Sequence, residues 1–337
     1  MMDLNILWFI LIVVLFSGFF FLEGFDYGVG ILMPFISPHD EERSLIIRTI
    51  APVWDGNEVW MITAGGALFA AFPHVYATMF STFYLALFLL LIALIMRGVA
   101  FELRAKETAP CWHRFWEGAI CFGSALPAFL WGVAVTNLLR GLPINANMIY
   151  LGNFWNLLSP YTIVGGIAFF LVFAFHGAAF LLLRIAHGGL ELRIQKLAHK
   201  LGCLAIIAFL FCILMTWTYT DLFRSTLAAA LLLGAAVIFV IGYICMLNKR
   251  FIPAFTASSL AIVFTTAAFF AGLFPRLMVS SLHPEWSLTI YNASSTPYTL
   301  TIMSIAAGCL VPIVLIYQIW TYWIFRKRVS LKDSGQY

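Results

Sequence analysis

The chain has 337 residues, 63% of them hydrophobic and 10% charged, and its mean hydropathy of +0.97 excludes a water-soluble domain. The net charge of +4 is scattered over short polar breaks, which excludes the concentrated basic face of a nucleic-acid binder. Apolar runs of about 20 residues, without the alternation of a transmembrane barrel, specify an all-α polytopic bundle and one integral membrane domain over residues 1–337.

Nine spans are expected in chain order: 4–35, 50–72, 75–96, 115–138, 161–183, 201–219, 227–247, 255–277 and 300–325. The first lacks the basic flank and small-residue cleavage site of a secretory signal, so it is expected to remain as a span. It contains "FLEGFDYGVG", which sets Glu23 and Asp26 three residues apart on one helix face. Counted from Leu4, Glu23 lies roughly 28 Å along the helix, near the far edge of a hydrocarbon core about 30 Å thick.

The second span opens "VWDGNEVW", where Asp55 and Glu58 repeat that spacing between Trp54 and Trp60. An ionised Asp at the centre of a span costs about 2.5–3.5 kcal/mol, so such groups are protonated, paired or turned to a wet cavity. Four of them on two consecutive spans point to a proton path. The competing reading has them cap helices, lie among headgroups, or pair with Arg48 or Arg97. Gly24, Gly28, Gly30, Gly65 and Gly66 would let the helices around these acids approach closely. The two tryptophans suit either an interfacial belt or contact with a quinone or porphyrin face.

Arg97 closes the third span in "IMRGVAFELR". There it is either a cytoplasmic anchor or the partner of an acid or a cofactor propionate. His176 is mid-span in the fifth. A haem held by two histidines needs a second deep imidazole, and the other histidines fall in loops or at span ends, so His176 is expected to hydrogen-bond across helices. The six cysteines contain no CxxC pair, which gives neither a disulfide framework nor a metal site. The longest polar breaks, 140–160 and 276–299, are placed to pack on a partner or to cover a site.

Orientation follows from Lys and Arg. With the N-terminus periplasmic and the C-terminus cytoplasmic, the outer loops keep only Arg140, Arg224 and Arg276, and the other 16 of the 19 basic residues face inward.

Three segments, "EGFDYGVGIL" (23–32), "IAPVWDGNEVWMITAGGALFAAFP" (50–73) and "RGVAFELR" (97–104), resemble subunit II of cytochrome bd-type quinol oxidases. The likeness continues in "GNFWNLLSP" (152–160) and "NASSTPYTLTIM" (292–303), and so runs nearly end to end. It implies a multi-pass protein of the bacterial inner membrane that works in a respiratory terminal oxidase. Its partner would be subunit I, which carries the haems (b and d, or b only) and the quinol-oxidising loop. This chain would ligate no haem or metal itself. The complex would oxidise quinol and reduce oxygen to water with cytoplasmic protons, without pumping. A small accessory subunit, lipid and quinone are further contacts the resemblance allows. By motif, Asp26 and Asp55 match acids on a proton route, Arg97 matches a basic residue near the haems, and Trp54 matches a tryptophan of the same motif. Glu58 stands where other members have Gln, which makes it, with Glu23, a lesser member of the path. The short outer loops resemble the cyanide-insensitive subfamily.

Two further readings remain. Intramembrane acids and glycine-rich helices also suit a proton-coupled secondary transporter, although no paired broken helices are visible. A purely structural subunit would use the acids only for packing and pairing.

Overall fold

The computed structural model describes residues 3–330 and is predominantly helical. The helices are α1 (Leu4–Ile36), α2 (Asp40–Ile50), α3 (Trp54–Ala71), α4 (Pro73–Thr82), α5 (Tyr84–Leu103), α6 (Pro110–Arg140), α7 (Pro160–Arg184), α8 (Gly188–Tyr219), α9 (Thr226–Leu247), α10 (Phe251–Leu273) and α11 (Pro297–Ile324). Local sequence sets their ends. Ser159 and Thr162 form a capping box at the start of α7, with Pro160 in the first turn, and Thr296 caps α11 ahead of Pro297. Gly141, at φ 91°, ends α6 in a conformation that suits glycine.

Eight of these helices, α1 and α5 to α11, are long and apolar enough to cross a membrane. The expected second span is different. Its first residues form the end of α2 and a turn, and the remainder is α3, 18 residues whose first turns carry Asp55, Asn57 and Glu58. Those polar residues keep α3 outside the apolar set, although 18 residues cover about 27 Å. The expected third span is also displaced. Pro73 begins the short α4, Phe83 breaks the chain, and the long apolar helix is α5, so Arg97 lies within a helix that continues to Leu103.

Helix α1 is the centre of the bundle, packed by α3, α6, α7 and α10. Its approach to α7 is close enough to exclude side chains, because a Cβ on Gly28 would overlap the Phe173 carbonyl and one on Gly177 would overlap the Gly28 backbone. Gly24 and Gly30 are likewise closed in, by Phe173 and Ser124. Gly65 and Gly66 are not, since a Cβ on either would meet open space, so the close-packing role expected of them has no basis within this chain. Helices α9 and α10 pair tightly, and α11 stands off the bundle with Leu300 as its one buried residue.

The two long polar breaks pack on each other at one end. Leu142 bridges to Ser280, and a small antiparallel pair, β1 (Arg276–Met278) and β2 (Leu288–Thr289), closes that lobe. Ser295 then ties the lobe to the end of α3 through the Ala70 and Ala71 carbonyls. At the opposite end, Glu117 of α6 holds Arg43 of α2 and Arg104 just after α5, at 2.5 and 2.8 Å, and Arg193 of α8 pairs with Glu42. Arg43, Arg104 and Arg193, all assigned to inner loops, thus gather at one end of the bundle. Lys332, likewise assigned to the inner side, lies outside the described residues. Arg97 does not belong with them because it is buried in the protein.

Candidate functional site

Glu23, Asp26, Tyr27 and Gly30 share one face of α1 through spacings of three, four and seven residues. Opposite them, α5 supplies Arg97 and α3 supplies Asn57 and Glu58. Glu23, Asp26 and Arg97 are fully buried. The Arg97 guanidinium pairs with Glu23 and reaches Glu58 at 3.5 Å. It also lies 4.9 Å from the Tyr27 ring centroid and 5.7 Å from that of Phe101, where two aromatic faces complete its surroundings. Room for it comes from Gly123 of α6, whose Cβ would collide with the Arg97 Cβ and the Ala93 carbonyl.

Asp26 is held from the other side. Asn57 Nδ2 donates to Asp26 Oδ2 at 2.6 Å, and Tyr322 Oη of α11 donates to Asn57 Oδ1 at 2.7 Å. The amide is therefore fixed in orientation between a donor and an acceptor, and the three side chains join α11 to α1 through α3. Trp60 adds a second tie, its indole donating to Gln318 Oε1 at 2.9 Å.

The cluster is rich in hydrogen-bonding capacity that protein atoms do not use. Glu23 Oε2, Asp26 Oδ1, the Tyr27 hydroxyl, and Arg97 Nε and Nη2 are all buried without a partner among the described residues. Buried polar groups of this kind are normally met by ordered water. Three carboxyl groups lie around one guanidinium, Glu23 and Glu58 paired with it and Asp26 held beside them by Asn57.

The structure thus brings Glu23, Asp26, Glu58 and Arg97 together and leaves Asp55 apart, exposed on another face of α3. Trp54 stands at the margin, its ring 5.0 Å from Phe101 and against Gly98. For Arg97, pairing with an acid is what the geometry contains, and the anchor reading is corrected by its complete burial. Headgroup and capping roles are excluded for Glu23 and Asp26 on the same ground. Asn57 and Tyr322 were not anticipated. The buried residues of α3, Asn57, Ala64, Leu68 and Ala71, lie seven, eleven and fourteen residues apart and form one stripe, so helical phase marks Asn57 as inward-facing and Asp55 as turned away. Nothing local marks Tyr322, which is 265 residues from its partner.

Both ring nitrogens of His176 are engaged, Nδ1 with Ser258 Oγ at 2.7 Å and Nε2 with the Phe21 carbonyl at 3.1 Å, and the ring stacks on Phe255. This is the cross-helix hydrogen bonding expected of it and leaves no free nitrogen for haem iron. No group of three or more His, Cys, Asp or Glu side chains placed to hold a metal ion occurs among the described residues.

A family model for cytochrome bd terminal oxidase subunit II matches residues 4–325. The chain is 42% identical to cytochrome bd ubiquinol oxidase subunit 2 of Bacillus subtilis, with 100% of each chain covered. It is 35% identical to cytochrome bd-I ubiquinol oxidase subunit 2 of Escherichia coli strain K12, over 98% of this chain and 96% of that one. A chain of the bd oxidase structure from Geobacillus thermodenitrificans superposes with a TM-score of 0.77 over 97% of this chain and 100% of its own, and at 19% identity that likeness speaks to the fold.

Proposed function

Because the chain belongs to the cytochrome bd terminal oxidase subunit II family, we propose that it acts as the subunit of a quinol:oxygen oxidoreductase that ligates no haem, and that its buried acid cluster forms part of a proton-uptake path. The relatives' names carry the reaction class to this chain. The observation that carries the path is the cluster itself: three carboxyls around Arg97, with five unpartnered polar atoms on Glu23, Asp26, Tyr27 and Arg97.

In this reading subunit I holds the haems, whose redox chemistry reduces oxygen with electrons from quinol, and the complex sits in the bacterial inner membrane. Its turnover is electrogenic without pumping, because the protons consumed come from the cytoplasmic side. This chain's residues do the carrying. Asp55 and Glu58 lie toward the entrance, exposed and half-buried, and Asp26 and Glu23 lie within. Arg97 keeps a cation beside the inner carboxyls, so a proton can leave one of them without stranding a bare charge in a low dielectric. Asn57 orients Asp26 and passes no proton itself.

Co-expression with subunit I and optical spectroscopy of the gently purified complex test the assignment. Haem bands should appear with both chains present, and membranes holding this chain alone should add no colour. A colourless protein that catalyses proton-coupled uptake by itself would instead establish a transporter.

A further inference from the structure

We propose that the cleft beneath α11 is a binding site for one anionic phospholipid, with its phosphate between Arg184 and Arg326 and an acyl chain along α1. The cleft has a volume of about 490 Å³, within the size range of small-molecule sites. Its floor is aromatic, formed by Phe21 and Phe25 of α1, Phe180 of α7 and Phe255 of α10. Leu315 and Ile319 of α11 form the roof.

The cleft exists because α11 is pinned at points rather than packed along its length. Trp8 holds its first turns through Leu300 and Ser304, and Gln318 and Tyr322 hold its last third. Beyond Ile324 the chain pairs back onto the end of α7, with Val329 bridging Ile185 and Arg184 donating to the Lys327 carbonyl at 2.7 Å. An apolar opening of this size beside hydrocarbon excludes water and admits a chain of methylenes.

The polar end decides the headgroup. Arg184 ends α7 and Arg326 follows α11, so both line the cleft where helices of 25 and 28 residues reach the membrane interface. Neither has a carboxylate partner among the described residues: Arg184 donates to a carbonyl, while Arg326 stacks on Trp323 and donates to that residue's carbonyl. Two guanidinium groups with spare donors at one mouth match a phosphate diester, and basic pockets between membrane helices bind anionic headgroups in this way. Gln318, deeper in the cleft, keeps Nε2 buried and unpartnered, which leaves a donor for an oxygen of the ligand. A neutral occupant would use Gln318 and leave both cations unmatched.

The test uses the complete complex with subunit I in nanodiscs of mixed phosphatidylglycerol and phosphatidylcholine. It is followed by detergent washing and a count of retained lipids by native mass spectrometry. The wild type should keep one phosphatidylglycerol through washing that strips bulk lipid. Arg184→Gln combined with Arg326→Gln should lower that retention on the order of tenfold, and the paired Lys substitutions should preserve most of it. Should the paired Gln variant fail to assemble, Arg326→Gln alone, at an exposed position past the helix end, should still lower retention several-fold. Equal retention in the Gln variants, equal retention of phosphatidylcholine, or a quinone held regardless of both arginines would overturn the assignment.

Discussion

Arg97 is the residue on which the site turns, because among the described residues it is the one cation within reach of Glu23, Glu58 and the Tyr27 ring, and it is fully buried. Arg97→Met would leave Glu23 without its counter-ion, and breaking a buried pair from one side costs about 3–5 kcal/mol. The complex should therefore unfold at clearly lower temperature, and Arg97→Met with Glu23→Met should regain much of the loss, since the uncompensated charge is then gone. A single variant as stable as the wild type would mean that the pair contributes nothing. Much of this site was legible: the i, i+3 spacing of Glu23 and Asp26 put both on one face, and both are in the cluster. Asp55 and Glu58 share that spacing, yet α3 turns only Glu58 toward Arg97. Spacing fixes which residues are neighbours on a helix, whereas the phase of its packed stripe fixes which of them look inward, and here the stripe runs through Asn57.

Among the elements, α1 and α7 meet most closely. Gly28 and Gly177 stand where either Cβ would strike the opposing backbone, which cannot move aside as a side chain can. Gly177→Val should therefore push α7 away from α1 and lower the yield of assembled complex on native gels, whereas Gly65→Val, directed into open space, should leave this chain's own helix packing intact. Equal yields from Gly177→Val and the wild type would contradict the close approach. Gly24 and Gly28 were readable as a small-residue pair, but Gly65 and Gly66 look the same in sequence and pack against nothing in the chain. The break at Phe83 was hidden because Ser81 and Thr82 before it are uncharged and the residues after it are apolar, so hydropathy alone merges α4 with the start of α5.

At the scale of the whole molecule, composition was enough for an all-α membrane bundle, and apolar runs located the eight helices long and apolar enough to cross a membrane, with α5 displaced along the chain. The helix too polar to be counted among them, α3, is the one that brings Asn57 and Glu58 to the cluster, so the feature that weakens its hydropathy is the one that builds the site. The ion pairs of Arg43, Arg104 and Arg193 collect at one end, and Arg276 pairs with Asp221 at the other. On the proposed orientation the first end is cytoplasmic, and cysteines introduced at Lys106 and Lys249 should react with impermeant reagents only from the cytoplasmic side; labelling from outside would invert the path. The central claim is that protons pass through the buried acids, and the direct measurement is quinol-driven oxygen consumption by the purified Asp26→Asn complex at normal haem content. Asn preserves the size of Asp26 and can still bond Asn57, but it cannot carry a proton. Turnover should fall at least tenfold, with a smaller loss for the exposed Asp55→Asn, while assembly and haem spectra stay unchanged. An assembled Asp26→Asn complex with wild-type turnover across the pH range would contradict the account.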